Sequence, residues 1–147
     1  MSVQDNLKVD EENIAAWNAH DADRLLAILS DDIVWQDVGN PQPLHGKDRA
    51  RQFARGWFAA FPDIKLTVTN RVVTEDQVAA EVQFTGTNSG PLELATGAPP
   101  ISATGKKVNG KGTYFVRIKN GKAVEVHTYP DAAGMMMQLG LMPMPGS

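Results

Sequence analysis

The sequence predicts an α+β fold in which a curved, mostly antiparallel sheet wraps around N-terminal helices and leaves one apolar pocket. Apolar residues recur at three- and four-residue steps as far as Phe61, which is the period of a helix. From Ile64 onward they alternate with polar residues, which is the period of a strand. Asn120-Gly121 then separates two such alternating runs, and both residues tolerate the positive φ that a two-residue type I′ hairpin demands.

The first helix is expected over Asp10 to Ala19, with Ile14 and Trp17 on one face. Asp21 is placed to cap a second helix, whose buried stripe is Leu25, Leu26, Ile28 and Leu29. Asp31-Asp32 ends that pattern, and Ile33, Val34 and Trp35 read as a short strand. Asn40-Pro41-Gln42-Pro43 is a loop, since proline removes donors and restricts its predecessor. A third helix runs from about Lys47 to Phe61, with Ala50, Phe53, Ala54, Trp57 and Phe61 in one stripe. Strands follow from Ile64, turn at Glu75-Asp76-Gln77, and return through Val78 to Thr85. Gly86 to Gly105 is rich in glycine, proline and threonine and reads as a long excursion of the kind that forms binding loops or lids. Val108 to Lys119 and Lys122 to Tyr129 complete a four-strand meander, and Ala132 to Leu139 carries a short terminal helix.

A length of 147 residues suits one domain, 1–147, with an ordered core over about 8–140 and a loose tail after Gly140. The net charge is −3 and the basic residues are scattered, which argues against a nucleic-acid partner. The lysines from Lys106 to Lys111 alternate along a solvated strand edge. There is no cysteine, so disulfides, thiolate nucleophiles and cysteine-bound metals are excluded, and a reducing compartment fits. The first ten residues lack the regions of a signal peptide, and no apolar run reaches the roughly 18 residues of a membrane span. The expectation is a cytoplasmic protein without a membrane partner.

Glu125, His127, Tyr129 and Asp131 share one parity on the last strand, opposite to Val124 and Val126. That set is either a solvent-facing strip or the polar wall of a cavity. Asp131 follows Pro130 and suits either an acid/base or the cap of the terminal helix. Arg117 is placed to pair with a carboxylate on the neighbouring strand, or to stabilise an enolate oxygen. Trp35, Phe53, Trp57 and Phe61 form either plain core or the lining of a partly hollow pocket. His20, His45 and His127 lack partners at ligand spacing, and Asp37 and His45 merely flank the proline loop, so no metal is expected. The serine-hydrolase elbow, phosphate loops and dinucleotide fingerprints are absent.

Several segments, in order, resemble the SnoaL-like polyketide cyclases of the nuclear transport factor 2-like, ketosteroid isomerase-like superfamily. These are His20-Asp21-Ala22-Asp23, Asp31 to Trp35, Ala60-Phe61-Pro62-Asp63, Gly86-Thr87-Asn88-Ser89-Gly90, Ala103-Thr104-Gly105-Lys106, Asn120 to Asp131, and Gln138-Leu139-Gly140. The resemblance spans nearly the whole chain. It implies a cone-shaped α+β barrel with a deep pocket, commonly homodimeric. It also implies an aspartate, at the position of Asp131, acting as general acid/base in an intramolecular aldol closure without metal or organic cofactor. Asn88 stands where the family has histidine, and His127 where it usually has tryptophan.

The expected function is thus a cofactor-free cyclase or isomerase of lyase type acting on an apolar carbonyl substrate. Asp131, His127 and Arg117 are its catalytic candidates. Trp35, Phe53, Trp57, Phe61, Gln83, Asn88, Glu125 and Tyr129 are the substrate-binding ones. The alternatives are a noncatalytic small-molecule-binding or dimerisation module, and an epoxide hydrolase-like enzyme built on Glu125, Arg117 and Asp131.

Overall fold

The first helix begins well before the apolar periodicity does. The computed structural model describes residues 2–95 and 97–145, and in it helix α1 spans Val3–Asn18. Ser2 and Asp5 form a capping box that starts it, each side chain bonding the other's backbone amide. Asn6 and Asp10 lie on the face that carries Trp17, so the inner stripe of α1 is polar in its first half. That is why apolar spacing alone locates only the second half.

Helix α2 (Ala22–Ala27) starts at Asp21, whose carboxylate accepts from the Arg24 amide at 3.0 Å, as expected of a cap. It stops sooner than the apolar stripe suggests. Ile28 closes it and Leu29 opens strand β1 (Leu29–Asp37). Strand β2 (Leu44–His45) follows the proline loop. Helix α3 (Lys47–Ala60) buries Ala50, Phe53 and Ala54, and Phe61 just beyond it is fully buried.

Strands β3 (Lys65–Val73), β4 (Gln77–Thr87), β5 (Lys107–Lys119) and β6 (Lys122–Pro130) form the expected antiparallel meander. Asn120 and Gly121 take φ of 52° and 77°, which is the hairpin geometry their identities call for. Helix α4 (Ala132–Gln138) ends the regular structure. Of the tail, Gly146 and Ser147 lie outside the described residues.

The strand order is β2-β1-β6-β5-β4-β3, a single sheet with β2 and β3 as its edges. It is therefore an open curved sheet rather than a closed barrel. The β1–β6 pairing is parallel, and the sequence did not foretell it. A parallel pair needs a long crossover, and here α3 and the whole meander supply it. The consequence is functional: β1 and β6 finish at the same end of the sheet, and so do Asp37, Thr128 and Asp131.

The excursion between β4 and β5 is anchored by Asn88, which is fully buried. Its amide nitrogen donates to the Ala60 and Gly90 carbonyls at 3.2 and 3.0 Å, and its oxygen accepts from the Thr104 amide and hydroxyl at 2.8 and 2.9 Å. At Gly90 a Cβ would lie 1.8 Å from the Ala59 carbonyl oxygen, so only glycine permits this close passage over the end of α3. Among the described residues, no helix is long and apolar enough to cross a membrane.

Candidate functional site

A cavity of about 140 Å³ opens between the helices and the inner face of the sheet. That is about the volume that encloses one benzene-sized ring, and because the cavity is open on one side a second fused ring can extend toward its mouth. Trp35, Phe53 and Trp57 line it, joined by Trp17, Phe84 and Val126. The aromatic rings contact one another edge-on or tilted, at centroid distances such as 5.3 Å for Trp35–Phe53 and 5.7 Å for Trp57–Phe84. Phe61 lies behind this wall, stacked on Trp57 at 6.0 Å, and does not line the cavity.

The polar groups of the cavity follow from register. Asp37 pairs with Thr128, Thr128 with Tyr114, Tyr114 with Ala80, and Ala80 with Arg71, one row across five strands. The adjacent row is Trp35, Val126, Val116 and Val78, which is wholly apolar. A narrow polar band therefore crosses an otherwise greasy floor.

At one end of the band Asp37 is nearly buried. Thr128 Oγ1 donates to its Oδ1 at 2.6 Å, and the Gly39 amide donates to Oδ2 at 2.9 Å. Burial pushes this carboxyl above the usual carboxylate range, and the two hydrogen bonds oppose the rise without cancelling it. Toward the other end Asp10 is fully buried. It accepts from Tyr114 Oη at 2.7 and 2.9 Å, Arg71 Nε at 2.8 Å and Asn13 Nδ2 at 3.2 Å. Burial and the Asp10 charge push the Tyr114 phenol far up, so it stays a donor. This cluster ties α1 to β3 and β5 and also faces the cavity.

The residues singled out on β6 fall elsewhere. Glu125, His127 and Tyr129 do share a face, but it is the outer one; Val126, Thr128 and Pro130 point inward. His127 Nε2 lies 2.5 Å from Glu125 Oε1, and Tyr129 packs edge-on against Phe115 at 6.2 Å. Arg117 is on the same outer face, 3.8 Å from both Glu125 and Asp76 and half exposed. Glu125, Arg117 and Asp131 therefore do not assemble as a buried set. Gln83 is exposed, and Asn88 spends its amide on the loop. Asp131 touches the cavity rim, where its carboxylate caps α4 by accepting from Gly134 at 2.9 Å. His45 is exposed on β2 while Asp37 is buried, and no group of metal-ligating side chains gathers among the described residues.

Asp10, Asn13, Asp37, Tyr114 and Thr128 were not picked out from the sequence as site residues. Two signals were available. Ile33, Trp35 and Asp37 alternate on β1, so an inward tryptophan implies an inward aspartate. Asp10 sits seven residues before Trp17, two helical turns away on the same face.

The family described as SnoaL-like polyketide cyclase matches residues 8–139. Among solved structures, AclR from Streptomyces galilaeus, a proposed hydroxylase, is 26% identical with a TM-score of 0.82, over 97% of this chain and 85% of that one. IdmH from Streptomyces antibioticus, a proposed polyketide cyclase, is 26% identical with a TM-score of 0.73, over 90% and 96%. A protein of ketosteroid isomerase-like fold from Catenulispora acidiphila, at 15% identity and a TM-score of 0.74 over 91% and 93%, shares the fold alone. No curated protein matches the chain.

Proposed function

The chain belongs to the SnoaL-like polyketide cyclase family, and from that premise we propose a cofactor-independent cyclase or isomerase that moves a proton on an apolar carbonyl compound through the Asp37 carboxylate. The observation that carries this is a carboxyl on an apolar cavity wall whose pKa burial has raised toward the working range of a general base.

In the ring-closing version, ionised Asp37 takes a proton from the carbon beside a carbonyl, leaving an enolate. The enolate carbon bonds to a second carbonyl carbon of the same molecule. The oxygen of that carbonyl becomes an alkoxide and takes the proton back from Asp37. Without a second carbonyl, return of the proton at another carbon gives isomerisation. The aromatic walls hold the carbon skeleton and keep water from the enolate. Asp131, at the same end of the cavity, is the carboxylate to which the family resemblance points and is the rival for this role.

The test uses 2-tetralone, a bicyclic ketone with acidic ring protons, and follows deuterium uptake by NMR. Asp37→Asn lowers the protein-dependent rate by about 10²- to 10⁴-fold, while Asp131→Asn leaves it near wild type. The reverse pattern makes Asp131 the proton carrier and overturns the assignment. A second reading, a binding module without turnover, is favoured by the hydrogen bonds that already engage both Asp37 oxygens. It predicts that 2-tetralone binds with no uptake above the buffer rate. We further propose that two copies pair through the outer face, where Phe115 and Tyr129 remain 39% and 46% exposed. Sedimentation of Phe115→Glu as a monomer beside a dimeric wild type tests this.

A further inference from the structure

Thr128 occupies an inward position between apolar Val126 and Pro130, where valine would fill the same volume. Its hydroxyl has a partner on each side. The Trp35 indole nitrogen lies 3.2 Å from Oγ1, and Asp37 Oδ1 lies 2.6 Å away. An indole N–H only donates and an ionised carboxylate only accepts. The threonine oxygen must therefore accept from Trp35, and its single proton must point at Asp37. The chain runs in one direction, from Trp35 through Thr128 to Asp37. The second carboxylate oxygen is held by the Gly39 amide, and a Cβ at Gly39 would crowd that oxygen at 3.0 Å.

We infer that Thr128, oriented by Trp35, is a positioning residue that fixes the Asp37 carboxyl against the cavity and sets the pH at which it releases its proton. The inference deepens the proposed role of Asp37 and rests on it. The other titratable groups on the cavity wall are Asp10 on α1, Lys111 and Tyr114 on β5, and Asp131 after β6. None of them is bonded to Asp37, and none contributes to its displacement from the ordinary value, which burial causes and only Thr128 and Gly39 oppose. α3 presents Phe53 and Trp57 to the cavity and no charge. Of the two opposing groups, Thr128 alone acts through a side chain.

The experiment is a ¹³C NMR titration of the Asp37 carboxyl in the free protein labelled at aspartate. Thr128→Val removes a hydrogen bond to the charged form, so the midpoint rises by about one to two pH units. Thr128→Ser restores the wild-type midpoint because it keeps the hydroxyl. Trp35→Phe frees the hydroxyl to rotate and gives a smaller rise. An unchanged or lowered midpoint in Thr128→Val, with the amide spectrum of a folded protein, overturns the inference. An unchanged midpoint in Trp35→Phe overturns the orienting part alone. The titration needs no substrate, so its failure concerns Thr128. Should the midpoint move while the 2-tetralone pH profile stays in place, the Thr128 link stands and the catalytic role of Asp37 falls.

Discussion

Asn88 offers the sharpest separation of structure from chemistry, because the sequence marks it as a substrate contact and the fold uses it as a staple. Truncation to alanine removes all four hydrogen bonds of its amide. Two partners recover. The Ala60 carbonyl still receives the Gly90 amide at 3.4 Å, and the Thr104 hydroxyl can turn its proton elsewhere. The Gly90 carbonyl and the Thr104 amide lose the Asn88 side chain that holds them. Leaving such groups unsatisfied costs about 1–3 kcal/mol each, so Asn88→Ala destabilises the fold by about 4 kcal/mol. For a domain of this size that lowers Tm by about 8–16 °C. Urea unfolding followed by circular dichroism reads the change as a lower midpoint at constant slope. The variant, held at a temperature where it is folded, binds 2-naphthol as wild type does. A loss below about 1 kcal/mol, or weakened 2-naphthol binding by the folded variant, refutes the staple and returns Asn88 to the site.

Other expectations follow from the same contacts. Tyr114→Phe removes a hydroxyl bonded to buried Asp10 and costs about 1.5–3 kcal/mol in urea unfolding. The Tyr114 phenol is raised in the folded state, so the stability it contributes is intact below its unfolded value and is lost as pH climbs beyond it. Wild type therefore weakens in alkali more steeply than Tyr114→Phe, which pH-dependent urea midpoints reveal. Asp37 is raised as well, so the stability of wild type relative to Asp37→Asn falls as pH rises above the ordinary carboxylate range. A flat difference across that window contradicts its burial in the charged form. At Gly134 a Cβ would meet the Asp131 carboxylate at 2.3 Å, so Gly134→Ala displaces that cap; the loss of about 0.5–2 kcal/mol offsets the ~1 kcal/mol that alanine gains over glycine within a helix, and the thermal midpoint does not rise.

Periodicity located most of the elements, since strand alternation and the Asn120-Gly121 turn are local physics. It failed where the buried surface is polar. Asn6 and Asp10 face inward on α1, and a search for apolar stripes passes over them. It also failed where pairing is remote, because nothing local says that β1 runs parallel to β6. The site suffered from both. Parity showed rightly that Glu125, His127 and Tyr129 share a face, yet parity cannot say which face is inside. That is decided by Trp35 and Val116, which flank Val126 in the sheet and are buried with it. The aromatic lining was legible because bulky rings on a helix stripe or at alternating strand positions have few places to go, and Trp35 on β1 and Phe53 and Trp57 on α3 reach the cavity.

The central claim is that Asp37 is the group that carries the proton. The most direct measurement sets the pH dependence of 2-tetralone deuterium uptake beside the NMR titration of the Asp37 carboxyl. A general base works when ionised, so the rate should rise with pH through a single midpoint above the ordinary carboxylate range, coincident with that of Asp37. A rate that rises at a different midpoint, or that ignores pH while Asp37 titrates, places the proton on another group and contradicts the account.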